Sequence, residues 1–320
     1  MHRRTTRLVV ALAALAVAAI AAAPSPAGAG AHAAPILCGG FEESSTFNSV
    51  ARLAPTSTAR GGTLVRERDT RGITADSEIP GSVPATSSSF TTTIPVYFHV
   101  VTDGSTGRLS KATVKEQITV LNLSFGGFYG GDDSGFRFRL AGLDYTDNAE
   151  WFAQETFAAE VAMKSALKRG DATALNIYST SGGGFLGWAY YPSIVTRQAY
   201  QVLDGVVMHY GSVPGGPITN YNLGYTATHE VGHWLGLPHT FEQGCIGHGD
   251  YVDDTPYEAT PTSGCPEGKD TCTRGVGPDP IHNYMDYSYD TCYTEFTAGQ
   301  GERMQQQWLH WRVQVGYVPN

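Results

Sequence analysis

The sequence predicts an α+β fold, and three features of its 320 residues predict it. Strand-type runs interleaved with helical periodicity fill 94–210, an aperiodic stretch with four cysteines occupies 240–293, and a capped amphipathic helix follows.

The run IPVYFHVVT at 94–102 is β-branched and aromatic, as a strand is, with Pro95 near its start. Over 111–125, Val114, Ile118, Leu121 and Phe125 recur at three-to-four spacing behind Ser110, a side chain able to cap the first turn. That spacing predicts a helix, ended by Gly126 and Gly127. Phe136, Phe138 and Leu140 alternate with Arg137 and Arg139, giving a half-buried strand. A further helix is expected from about 154 to 168, where Phe157, Val161 and Leu167 share a stripe and Lys168, Arg169 and Gly170 mark its end. Short strands are expected at 175–179 and 206–210, with a flexible turn over 182–184 between them.

From His239 to Tyr293 no period survives, and a loop region that long needs another restraint. Cys245, Cys265, Cys272 and Cys292 supply it as two disulfides in an oxidising compartment. Four cysteines permit three pairings, and the residues alone do not choose among them. Thr297 and Gln300 then have capping-box spacing, and Met304, Trp308 and Trp311 form an apolar stripe.

Arg3, Arg4 and Arg7 precede an Ala-rich apolar run over 8–23 and small residues around Pro24 and Pro26, the layout of a cleavable export signal. Residues 1–33 are read as that signal, and the product as secreted, with no membrane attachment after its removal. Residues 34–75, extending up to about 92, are rich in Ser, Thr, Gly, Pro and Arg and read as a pro-segment. Arg60, Arg66, Arg68 and Arg71 are the expected region of cutting. Residues 76–320 make the folded domain, expected to act as a monomer. The net charge of −9 argues against nucleic acid as a partner.

The segment HEVGHWLGLPH at 229–239 carries the chemistry. His229 and His233 lie one helical turn apart, so both imidazoles can reach one cation. Glu230 lies beside them, able to reach a water there as a general base without being a ligand. Gly236 falls where the helix must stop and turn to bring His239 to the same ion, a turn that needs the left-handed conformation. Three imidazoles leave one of four positions open, as catalytic zinc requires.

Met285, within NYMDY at 283–287, resembles the Met-turn of the metzincins, in which the methionine packs beneath the metal. The wider set HEVGHWLGLPHTF, GDYVDDTP at 249–256, GCPEGKDTC at 264–272, DPIHNYMDYSYDTC at 279–292 and FTAGQ at 296–300 is similar to the pappalysin family of metzincin zinc metalloproteases, ulilysin-like and extracellular. The resemblance covers roughly residue 94 to the end of the sequence. It implies a twisted mixed sheet and two helices above a cleft, the second carrying His229 and His233, and an irregular disulfide-tied lower part with a C-terminal helix. It also implies a secreted endopeptidase acting on proteins or peptides and made as a latent precursor. In this reading Tyr287 points its hydroxyl at the developing oxyanion, and Cys245 pairs with Cys272 and Cys265 with Cys292. The segment just after the Met-turn is implied to wall the primed-side pocket, where an acidic residue favours basic side chains, and Asp290 and Thr291 are the candidates for the inward position.

Asp250, Asp253, Asp254 and Thr255 offer hard oxygen ligands for a structural calcium, with turn or capping bonds as the alternative. Cys38, unpaired in the removable segment, is a candidate zinc ligand of the latent precursor. His99, His209, His248, His282 and His310 are read as structural. The rival function is a non-catalytic zinc-stabilised binding module.

Overall fold

The computed structural model describes residues 89–273 and 277–317. The export signal, the pro-segment with Cys38, and Arg60, Arg66, Arg68 and Arg71 lie outside the described residues.

The strands are β1 (Thr92–Thr102), β2 (Phe136–Asp147), β3 (Leu175–Thr180), β4 (Gly187–Ala189) and β5 (Val206–His209). They form one mixed sheet in the order β2-β1-β3-β5-β4, parallel except for β4, which closes the edge antiparallel to β5. The helices are α1 (Lys111–Phe125), α2 (Ala149–Ala153), α3 (Phe157–Leu167), α4 (Tyr225–Trp234) and α5 (Ala298–Gln307), the last continuing as a π-helical stretch over Trp308–Val315.

Period-two alternation sorts the strand side chains onto two cores. Ile94, Val96, Phe98 and Val100 of β1, with Ile177, Val206 and Met208, join the core that holds Val114, Leu121 and Phe125 of α1 and Val231 and Trp234 of α4. Val101, Tyr178 and Val207 face the other way, toward Met163 and Leu167 of α3 and Trp188 of β4. Each such fully buried apolar side chain contributes about 1.5–3 kcal/mol. The sheet thereby carries α4 on the face of the first core.

Ser110 Oγ accepts from Thr113 N at 3.0 Å, so α1 begins where its cap lies. Four departures from the sequence expectation have local causes. β2 runs on to Asp147 because β1 pairs with it throughout, although its exposed outer residues lose the alternation after Leu140. Asn148 caps an unanticipated α2, and Gln154 stands in the left-handed region (φ 53°) as its end. The following helix therefore starts at Phe157 behind Thr156 rather than near 154. β4 is three residues long, too short for a periodic signal.

Below the sheet, no helix or strand occurs among the described residues from 240 to 293. The chain there is tied by Cys245–Cys272 and Cys265–Cys292, the interlaced pair that the family resemblance implies. α5 opens with the capping box of Thr297 and Gln300. Its extension carries Arg312, which is buried, pairs with Asp204 at 3.0 Å and donates to the carbonyl of Trp234 at 2.8 Å. A buried charge pair of this kind is retained only when its hydrogen bonds are satisfied, and here it anchors the end of α4. Among the described residues no helix is long and apolar enough to cross a membrane.

Candidate active site

All ten residues of α4 are buried. The helix ends in a Schellman turn: Leu237 N donates to Gly232 O at 3.0 Å and Gly236 N to His233 O at 2.9 Å, with Gly236 at φ 103°. A Cβ at Gly236 would lie 2.6 Å from Gln307 Cγ of α5, so glycine is required there for space as well as for its dihedral. The turn returns the chain, and His239 reaches the two helical histidines.

The Nε2 atom of His233 lies 3.0 Å from Nε2 of both His229 and His239. His229 Nδ1 donates to Tyr284 O at 2.6 Å and His233 Nδ1 to Leu237 O at 2.7 Å. Those bonds leave the two Nε2 atoms unprotonated, and lone pairs so close repel unless a cation lies among them. Zinc with nitrogens at about 2.0–2.1 Å in a tetrahedron places them about 3.3 Å apart, so the donor set fits zinc. Burial pushes His229 down to about 4 and His233 well below its ordinary range, which keeps both in the neutral ligand form at neutral pH.

Met285 sits under this site against α4: a Cβ at Gly232 would lie 2.4 Å from Met285 Sδ. The methionine's turn is fixed by Asn283 Oδ1, which accepts Met285 N at 2.9 Å, while the Asn283 and Gln300 amides pair at 2.8 and 3.0 Å. The capping residue of α5 thus holds the Met-turn. The ring of Tyr287 lies 4.9 Å from that of His239 and 5.7 Å from that of His229. Glu230 packs on the edge strand, where a Cβ at Gly187 would come within 2.8 Å of its Cγ and 2.9 Å of Oε1.

Sequence reasoning missed Gly187 and the part played by Gly232. The second had a signal, since glycine inside a helix costs about 1 kcal/mol relative to alanine and marks a close approach. Gly187 had none. Between Asp290 and Thr291 the structure distinguishes: Thr291 is exposed, whereas Asp290 lines a narrow pocket of about 20 Å³ with Leu186, Tyr225, His229 and Tyr287. Burial raises Asp290 to about 7 although its Oδ2 accepts Leu223 N at 2.8 Å, just ahead of α4.

The four calcium candidates do not share one site. Asp250 accepts from Val252 N and the Thr255 hydroxyl, and Asp254 accepts from Thr297 Oγ1 at 2.6 Å and Gly299 N at 2.8 Å, capping α5. Asp250, Asp253 and Thr255 line a cavity of about 90 Å³ from which Asp254 is absent. Those are turn and capping bonds, and they lend calcium no support. Among the described residues, three or more metal-type side chains converge only at the three histidines and at Cys265, His282 and Cys292, whose two sulfurs are joined in a disulfide. His99 is buried between Asp144 and Asn176, His209 accepts from Gly211 N, and His248 stacks on Tyr251.

The family model described as pregnancy-associated plasma protein-A, for M43 peptidases, matches residues 179–308. An extracellular metalloprotease of Sordaria macrospora is 49% identical over 216 residues, 66% of this chain and 73% of that protein. Its counterpart in Pyricularia oryzae is 46% identical over 244 residues, 75% and 82% of the two chains. Among solved structures, Tannerella forsythia mature mirolysin in complex with a cleaved peptide aligns with a TM-score of 0.59 at 33% identity, covering 68% of this chain and 91% of that one. A Tannerella forsythia promirolysin mutant aligns with a TM-score of 0.65 at 29% identity over 86% and 95%. The chain belongs to the pappalysin family of metzincin zinc metalloendopeptidases.

Proposed function

We propose that this chain is exported as a latent precursor and, once shortened, hydrolyses internal peptide bonds of proteins with Glu230 as general base and Tyr287 as oxyanion donor. The observation that carries the reading is the convergence of three imidazole Nε2 atoms beside a buried Glu230 and a tyrosine ring set edge-on at 4.9 Å to the third histidine. A zinc ion held by His229, His233 and His239 supplies Lewis acidity and lowers the pKa of water to about 7.

Glu230 takes a proton from the attacking water and delivers it to the leaving amine nitrogen. Its place against Gly187 fixes its carboxylate relative to the edge strand β4. A peptide laid along that edge presents its backbone in the manner of an added strand. The Tyr287 phenol donates to the carbonyl oxygen as it gains charge. Gly187→Ala is expected to lower kcat by about 10²-fold, since an ångström of displacement of the base is enough, with zinc content unchanged.

Secretion is supported by the relatives, which are named extracellular, and by the basic and apolar start of the sequence. Latency is supported by the Ser-, Thr-, Gly-, Pro- and Arg-rich composition of residues 34–75 and by the likeness to a promirolysin. Cys38 remains the candidate precursor ligand; Cys38→Ala precursor should then gain activity or process itself faster.

A casein assay on the shortened enzyme tests the whole reading. Hydrolysis abolished by a zinc chelator and restored by zinc is expected. Stoichiometric zinc without any hydrolysis of casein or a peptide library would instead support the binding-module alternative.

A further inference from the structure

Three carboxylates, Glu258, Asp279 and Asp286, are buried below the zinc site at 0%, 3% and 0% exposure. Among the described residues, their shared surroundings hold one ammonium. Lys269 Nζ lies 2.6 Å from Glu258 Oε1, 2.6 Å from Thr260 O, 2.9 Å from Thr262 Oγ1 and 3.1 Å from Asp279 Oδ2. Two carboxylates, a carbonyl and a hydroxyl around one positive centre make the oxygen cage that elsewhere receives a metal cation. Here the chain supplies the cation itself.

The cage is wired to the residues that shape the active site. Glu258 Oε2 accepts the Thr240 hydroxyl at 2.8 Å, and Thr240 is the residue after His239. Thr240 N also donates to Met285 O at 3.3 Å. The Thr262 hydroxyl donates to Glu258 at 2.9 Å, and Thr262 N to Asp286 Oδ1 at 2.9 Å. That same Asp286 oxygen accepts Tyr287 N at 2.7 Å, while Oδ2 of Asp286 has no hydrogen-bond partner. Lys269 stands between Cys265 and Cys272, so both disulfides fix the loop that brings it here.

We propose that Lys269 is a positioning residue of the peptidase: its ammonium is the internal counter-ion that keeps Glu258 and Asp286 in place, and through them Thr240 beside His239 and the backbone of Tyr287. This rests on the peptidase reading above. Burial raises Glu258 to about 7 and lifts Asp286 above the usual carboxylate range, with Lys269 opposing both. Burial in turn works against the Lys269 ammonium, yet its bond to Glu258 and the charges of Glu258 and Asp286 raise it above its ordinary value. The two carboxylates repel each other, and removing the cation leaves that repulsion uncompensated. Loss of one partner from a buried charged set is more damaging than loss of both.

The test is a double-mutant cycle on the shortened enzyme with Lys269→Met, Glu258→Gln and the pair combined, reading kcat, KM and zinc per chain. Lys269→Met is expected to lower kcat by roughly 10- to 100-fold, as displaced catalytic groups do, with KM within about twofold and zinc retained. Adding Glu258→Gln to it should recover at least about fivefold, because contacting charges couple. A merely structural lysine would show no such recovery. If Lys269→Met alone does not fold, the double variant decides, and its failure to fold or act overturns the proposal. Wild-type kcat in Lys269→Met, or a double variant no better than the single, overturns it as well. Absence of chelator-sensitive hydrolysis in the wild-type enzyme would instead sink the peptidase reading, so the two failures are distinguishable.

Discussion

Glu230→Gln is expected to lower kcat by about 10²- to 10⁴-fold, the range a positioned general base contributes, while zinc stays bound. Gln has the same shape, so it keeps the packing against Gly187 and the burial within α4. What it loses is the ability to take a proton. Glu230 lies outside the set of three converging imidazoles, so one zinc per chain should remain by elemental analysis. A variant with wild-type kcat would show that another group moves the proton. A variant without zinc would show that Glu230 is a ligand and that its mechanistic role has been misassigned.

Replacing Cys265 and Cys292 together with serine is expected to cost about 3.5 kcal/mol of stability. The bond closes a separation of 27 residues, and the chain-entropy relation gives that magnitude for a loop of this length. Folded domains hold only about 5–15 kcal/mol in total, so the change is large. The lower part has no helix or strand among the described residues from 240 to 293 to take over the restraint. Denaturant titration of the zinc-loaded enzyme measures the loss. The effect should reach the site, because Cys292 follows Asp290 of the pocket wall and Lys269 lies inside the second loop. A midpoint within error of the wild type would mean that the loops are held by their hydrogen bonds alone.

Features written in local chemistry were legible in the sequence. Ser110 before α1, the Thr297 and Gln300 box of α5, and Gly236 after α4 each act on backbone within a few residues, and each was readable from spacing. Two histidines four apart were readable for the same reason. Contacts between distant segments were not. Gly187 matters only because β4 lies against Glu230, and β4 itself is three residues placed by the sheet rather than by propensity. Lys269 carries no local signature in the sequence, since its meaning depends on Glu258, Asp279 and Asp286 gathering around it. The position of Tyr287 came from family resemblance, since a tyrosine two residues after a methionine has no periodic or capping signature. In the acidic stretch 250–255, turn and capping bonds use the same residue types as a calcium loop, so residue type alone does not separate the two.

The central claim is that one zinc ion on His229, His233 and His239 supports peptide hydrolysis. Titrating zinc into metal-free shortened enzyme, with a fluorogenic peptide as reporter, tests it most directly. The account predicts that activity rises from zero in proportion to zinc and stops at about one equivalent per chain, and that His239→Ala shows no such rise at the same zinc. Hydrolysis by the metal-free enzyme, or an unchanged titration in His239→Ala, would contradict it.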